Sequence, residues 1–437
     1  MWALLLTLAT YWRALFYFWW SNGDFIGCPL LKGEVNLAAK IHVYGIWLDL
    51  YLWALPHYRA PSYRHDLLAN LRNVALPGTG IPLSTFCVAK PVAWVFFLFL
   101  YPLAAMAGAV NVARTARGLR GKYAALAAAF HEHLLAPQDW FSYWRLNSRI
   151  AAYHQVLTGS PGYAQEDKWT FLREGARLGV PVSPVLEHAS IVVKNKNEEG
   201  GLGIYFYRNA LAGGDWIIQE RLENSDFLRQ HLLPPGAPLS TLRVITASRG
   251  GLTPADPRLG HAPTDEGFSA LPVDHIQALS CVFRAGRAGA ATDHASILFD
   301  VDAETGRIHE GSTNAHWYQL GLRSIPRTPW RSRYRTAAHP DAPARPLTGL
   351  QIPDMGGIRR LVRRAHFLML PDVPLVGWDV ALTTKGLVLL EVNLSCNFFR
   401  GTFQKGPYFQ FCRDYLDVLQ KLREENGGAG RQGKKSA

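Results

Sequence analysis

Asp379, Glu391 and Asn393 are the residues of this 437-residue chain whose types and spacing most plainly suit chemistry. They stand in VGWDVALTTKGLVLLEVN, residues 376–393, where two apolar runs flank Thr-Lys-Gly. That pattern predicts a β-hairpin with Gly386 in the left-handed position of a three-residue loop. The register then sets Thr383 opposite Leu387 and Asp379 opposite Glu391. Trp378, Val380, Leu382, Val388, Leu390 and Val392 share one wholly apolar face, and Asp379, Glu391 and Asn393 share the other. Cross-strand neighbours lie roughly 5 Å apart. Two carboxylates that close repel each other unless a cation sits between them, and carboxylate and amide oxygens are hard donors suited to Mg2+. A hairpin whose polar face merely meets solvent is the plainer reading, but such faces favour Lys, Thr and Ser over facing acids.

Lys194 closes a β-rich run in SIVVKNKNEEGGLGIYF (190–206), and Gly200, Gly201 and Gly203 precede a second run. Glycines let backbone N–H groups approach phosphate oxygens, and a lysine there adds a point charge. No Lys-Ser/Thr pair follows the glycines and no helix opens there, so this is not a Walker loop. A Gly-rich turn beside a lysine accounts for the segment equally well. Next comes DWIIQERLENSDF (215–227), an apolar strand closing in polar residues. It can offer backbone groups to an adenine edge and acids to a ribose; an ordinary strand end has the same composition.

In this order the segments resemble the ATP-grasp superfamily, and in particular the sugar-transfer-associated ATP-grasp family related to alpha-L-glutamate ligases. The resemblance runs from about Asp139 to Gly406. It is carried by Lys168 ahead of FLREGARLGVPVSP, Lys194 with its glycines, IIQERL, STLRVIT (240–246), HPDA (339–342), IPD (352–354), then AH, GWDVAL and EVN. It implies an α/β (α+β) fold in which two α+β subdomains grip ATP. Lys168 and Lys194 would hold the ATP phosphates, with Gly200, Gly201 and Gly203 in a loop closing over them. Gln219, Glu220 and Leu222 would form the adenine hinge, with Glu223 or Asp226 on the ribose. Asp379, Glu391 and Asn393 would bind two Mg2+ ions, and Arg243, Arg284 and Lys194 would be the catalytic cations.

The chemistry so implied is phosphoryl transfer from ATP to a carboxylate, giving an acyl-phosphate that an amine attacks to form an amide. Positioning and charge neutralisation do most of this work, so no protein nucleophile is required. Cys281, Cys396 and Cys412 accordingly read as small buried hydrophobes. Two stretches depart from the family pattern. Asn195 follows Lys194 where proline is usual, and AATDHASILFD (290–300) keeps Asp293 but has His294 at an Asn position and lacks the glycines. Two other readings compete: a kinase phosphorylating a sugar or lipid-linked hydroxyl, and a non-catalytic scaffold on a degenerate nucleotide fold.

The elements that must position these residues follow from the wider pattern. Helical periodicity over 123–134, 146–157 and 168–179 gives way to β-rich runs at 190–194, 203–207, 216–220, 241–247 and 295–301, and a helix is expected over 356–370. Ahead of this α/β texture, Pro91 to Ala113 is an uncharged stretch of 23 residues, with Lys90 before it and Arg114, Arg117, Arg120 and Lys122 after. It is long enough to cross a bilayer, Pro102 would kink it and so also allows a re-entrant or surface-lying hairpin, and a buried core helix pair is the plainer alternative. Residues 1–20, apolar but for Arg13, lack a basic leader and cleavage site and suit a membrane interface.

The domains expected are therefore a membrane-associated helical region (1–122), a catalytic domain (123–423) and a disordered tail (424–437). The chain carries 46 Lys+Arg against 34 Asp+Glu, which favours an anionic partner. Arg323, Arg327, Arg331, Arg333, Arg335 and Arg345 against a lone Asp341 suggest a loop for an acidic or lipid-linked glycan or for anionic headgroups. No aromatic-basic module or helix-turn-helix points to nucleic acid. Five scattered cysteines without a CxxC pair argue against a disulfide scaffold or zinc ribbon. The basic cluster after residue 113 would place the remainder of the chain on the cytoplasmic side of a cell membrane, and the resemblance, with the membrane-like N-terminal region, implies a part in envelope or capsular polysaccharide assembly.

Overall fold

A computed structural model describes residues 2–31, 36–65, 68, 88–114, 116–138, 140–198, 202–250, 276–313, 335–396 and 403–433. It is 48% helical and 20% strand, an α+β arrangement whose named strands all pair antiparallel. A small hairpin joins β1 (Ser190–Lys194) to β2 (Ile204–Arg208). The main sheet comprises β3 (Thr241–Ser248), β4 (Ile276–Ala285), β5 (Ile297–Val301), β6 (Ile308–Thr313), β7 (Leu375–Thr383) and β8 (Gly386–Asn393), in the order β6-β5-β4-β3-β7-β8.

Alternation along β3 assigns the two faces of this sheet. Leu242 and Val244 join Phe283, Trp378 and Val380 in one core, with the amphipathic helix Met355–Met369 packed upon it. Ile245 and Ala247 belong to a second core shared with the helices. Arg243 precedes them on that same face, so the face is polar at one end and apolar at the other.

The helices are α1 (Trp2–Trp20), α2 (Leu37–Tyr51), α3 (Lys90–Val95), α4 (Tyr101–Ala113), α5 (Leu119–Leu135), α6 (Trp140–Thr158), α7 (Lys168–Arg177), α8 (Met355–Met369) and α9 (Lys405–Gly433). A π-helical turn, Phe96–Leu100, joins α3 to α4 into one rod. Pro102 has no N–H to give the preceding turn, so carbonyls there need other donors. Tyr11 Oη donates to Phe97 O (2.8 Å) and Trp12 Nε1 to Leu98 O (2.9 Å). The kink expected at Pro102 is thus a π turn pinned by α1.

α1, α2, α5, α6 and α9 share one continuous core, and the boundary expected at 122/123 falls inside α5. A buried ion pair, Arg149 with Asp49, joins α6 to α2. At α9, Tyr415 Oη donates to Ser248 O (2.6 Å), and Gln420 Oε1 accepts from the backbone N–H of Phe25 and Ile26 (2.7 and 2.9 Å). Both ends of the chain therefore meet around this helix. α9 continues through Gly433, where the sequence led to an expectation of disorder from Glu424.

Two strand expectations are also corrected. Residues 216–220 make isolated bridges only, among them Val185 with Gln219. The facing segment begins at Pro184, which accepts from Glu220 N but lacks the N–H a ladder needs. In the β7–β8 hairpin Thr383 pairs with Gly386 across a two-residue turn, and a bulge at Leu390 restores Asp379 opposite Glu391. Leu389 rather than Leu390 therefore enters the apolar core.

Candidate active site

Register brings the polar side chains together. Arg243 on β3 pairs with Asp379 on β7, which pairs with Glu391 on β8. Thr241, two residues before Arg243, pairs with Arg284 on β4. All five belong to the polar end of one sheet face.

Asp379 is the centre of the network and only 4% exposed. Its Oδ1 accepts from Arg243 Nε, and its Oδ2 lies 3.2 Å from Arg284 Nη1. Arg284 Nη2 reaches Asp293 Oδ1 at 2.9 Å, and Thr241 Oγ1 donates to Asp293 Oδ2 at 2.5 Å. Burial alone would raise the Asp379 carboxyl, but Arg243 and Arg284 outweigh it and hold the group below the ordinary aspartate range. Burial likewise disfavours the Arg243 charge, which Asp379 more than offsets. Gly377 makes room for this contact: a Cβ there would lie 2.7 Å from Cys396 Cβ and 3.3 Å from Arg243 Cδ.

Glu391 sits at the rim, 3.0 Å from Lys168 Nζ at the start of α7. Asn393 Nδ2 donates to Glu391 Oε1 at 3.4 Å. The expected ligand set Asp379, Glu391 and Asn393 is thus assembled, but its charge is balanced by Lys168, Arg243 and Arg284. Among the described residues, no cluster of three or more His, Cys, Asp or Glu side chains could hold a metal ion. The donor set present is two carboxylates and an amide, all hard oxygens, and in type it fits Mg2+.

Beside this row opens a cleft of about 630 Å³, within the usual size for a small-molecule site. Lys168, Gln219, Glu220, Leu222, Glu223 and Glu391 line it, all expected from sequence. The floor and walls add Ser183, Arg229, Leu233, Leu239 and the bulge residue Leu390. Gln219 Nε2 donates to Ser183 O (3.2 Å), Glu220 holds Lys385 Nζ at 2.6 Å, and Glu223 lies 3.2 Å from Arg229. Asp226 stands behind this wall and pairs with Arg229 rather than lining the cleft. Asn224 fixes the wall to the Pro-rich loop, donating to Pro238 O and accepting from Ser240 N.

The remaining candidates are not brought to the cleft. Lys194 ends β1 opposite Ile204 and is exposed. Gly203 has φ +64°, with its would-be Cβ 2.3 Å from the Glu198 carboxylate, so it shapes the turn. Gly200, Gly201 and Arg323 to Arg333 lie outside the described residues. Cys281, Cys396 and Cys412 are buried free thiols whose pKa burial raises, as suits hydrophobes rather than nucleophiles.

Sequence reasoning missed Thr241, Ser183, Arg229 and the 233–239 wall. Thr241 was within reach, because position i−2 from Arg243 shares its face. Arg229 was signalled by its spacing of three from Asp226 on a helical turn.

No protein-family model matches this chain, and it matches none of the curated proteins with which it was compared. The geometry of the cleft and its charged row must therefore carry the functional reading.

Proposed function

We propose that the cleft binds ATP and that the chain is an ATP-grasp-type carboxylate–amine ligase. One observation carries this reading: Lys168, the 219–223 segment and Glu391, drawn from three separate parts of the chain, line the same cleft. The apolar wall of Leu222, Leu233 and Leu239 suits a purine, and Lys168 stands where phosphates would run toward the Arg243–Asp379 row. The six-stranded antiparallel sheet with a separate small hairpin is consistent with two gripping subdomains.

The residues divide the work by position. Lys168 would hold phosphate oxygens and in doing so release Glu391. Arg243 and Arg284 would steady the transferred phosphoryl group and the carboxylate it joins, since planar guanidinium groups match both. Asp379 keeps the two arginines aligned, and Thr241 with Asp293 orients Arg284 from its far side. Asp379, Glu391 and Asn393 would hold Mg2+, which when bound neutralises phosphate charge. Carboxylate plus ATP gives acyl-phosphate plus ADP; attack by an amine nitrogen then forms the amide and releases phosphate and a proton.

The test is Mg2+-dependent ATP turnover by the full chain, offered envelope glycan precursors and amino acids, with product mass followed alongside ADP and phosphate. An amide-mass product with both ADP and phosphate is expected, and Glu391→Gln should lower turnover at least about 100-fold. A phosphorylated product with ADP alone would make the enzyme a kinase. Equal nucleotide affinity with no turnover in either protein would make it a scaffold.

A further inference from the structure

The N-terminal helices carry an apolar surface that the described residues leave uncovered. On α1, Trp2, Leu5, Leu6, Phe16, Trp19 and Trp20 are exposed, Trp20 at 95%. On the α3–α4 rod, Val92, Val95, Phe99, Leu100, Leu103 and Val110 are exposed. The two helices lie side by side, with Tyr11 against Tyr101 and Trp19 against Trp94 at ring distances of 6.1 and 4.7 Å, so their outer faces adjoin. Along the rod and the segment that follows it the charge has one sign. Lys90, Arg114, Arg117, Arg120 and Lys122 are exposed, and no acidic residue occurs between Asp66 and Glu132. Arg13, the one charge on α1, can snorkel to headgroup level.

The rod Lys90–Ala113 is long and apolar enough to cross a bilayer, but its inner face is committed to the protein. Tyr101 Oη donates to His133 O of α5 at 2.8 Å, and the Arg145 guanidinium of α6 lies 5.4 and 5.9 Å from the Phe97 and Tyr101 ring centres. Phe97 and Tyr101 sit at mid-rod. Were the rod to span, Arg145 and the polar α6, which packs on α9 and the sheet, would be carried to the hydrocarbon centre.

We propose that α1 and the α3–α4 rod lie in the plane of an anionic bilayer, immersed in one leaflet by their outer faces only. An in-plane helix enters about 5–10 Å, to the headgroup–acyl boundary, which suits exposed Trp and Phe beside a basic rim. A second copy of the chain fits less well, because a two-fold contact would set like-charged rims against each other.

The experiment uses full-length protein in sealed inside-out membrane vesicles, with Lys90→Cys or Arg114→Cys in a Cys87→Ser background. Cys28, Cys281, Cys396 and Cys412 are buried and give little labelling. An impermeant maleimide added outside should label both ends of the rod. Labelling of only one end means the rod spans and overturns the proposal. A second measurement is binding of purified protein to phosphatidylcholine vesicles with and without phosphatidylglycerol. Phosphatidylglycerol should strengthen binding, and Arg117→Glu/Arg120→Glu should weaken it at least about tenfold without changing thermal unfolding. Binding indifferent to lipid charge, or a concentration-dependent dimer with no vesicle binding, overturns it.

Discussion

Asp379 and Glu391 face each other across two strands, yet their surroundings differ enough to separate their roles. Asp379 is buried between two arginines, and Glu391 meets a lysine whose side chain is 68% exposed. Removing one partner of a buried ion pair leaves an uncompensated charge, so Asp379→Asn should cost about 3 kcal/mol in urea unfolding. Glu391→Gln should stay within about 1 kcal/mol, because exposed pairs contribute little. A stability loss of similar size in both would remove the distinction. The depressed Asp379 carboxyl sets a sign for pH as well: folding binds fewer protons there than the unfolded chain does. Its contribution is full above the ordinary aspartate value near about 3.9 and disappears as pH falls below it. Acid titrations of wild type and Asp379→Asn should therefore converge at low pH. The pairing of Asp379 with Glu391 was legible in the sequence, because alternation fixes faces. Their compensation by Arg243, Arg284 and Lys168 was not, since it depends on strand order and on where α7 begins.

Elements set these positions through two small departures from regularity. One is the bulge at Leu390. A three-residue loop and a two-residue turn followed by a bulge put the same residues opposite each other near Asp379, so apolar periodicity alone does not separate them. The structure takes the second course, and Leu390 turns from the core toward the cleft. The other is Gly377, where the Arg243 side chain crosses a strand with no Cβ beneath it. Gly377→Ala should destabilise by about 1–3 kcal/mol through overpacking and, on the proposed ligase reading, should lower ATP turnover by shifting Arg243. Unchanged turnover with the expected stability loss would show that Arg243 placement is not critical. β1, β2, β3, β5, α7 and α8 were readable within a residue or two. β4 is largely buried and shows no clean alternation, and β6 is interrupted by Gly311, so neither stood out in the sequence.

At the scale of the molecule, histidines buried without charge should weaken the fold at mildly acid pH. Burial lowers His42 to about 3 and His154 and His366 to about 4. His366 spans Thr246 Oγ1 and Val373 O, at 2.7 and 2.9 Å, beneath Trp378. A depressed histidine binds its proton more readily in the unfolded chain, so stability is full above about pH 6.5 and falls as pH drops toward the folded values. At pH 5 His366 alone should cost about 2 kcal/mol, and His366→Gln should flatten the urea-unfolding profile between pH 7 and 5. A profile of unchanged slope would assign the acid sensitivity to the other two.

The contact of α9 with the first turns of the chain bears on how the protein is made. Domains generally fold from the N-terminus as they leave the ribosome. Here α1 and α2 emerge first, but Tyr415, Leu416 and Gln420 that complete their packing emerge last. The tryptophan-rich α1 should therefore remain half-covered until α9 has been made. A chain ending before Tyr415 should collect in the insoluble fraction rather than yield a shorter folded protein.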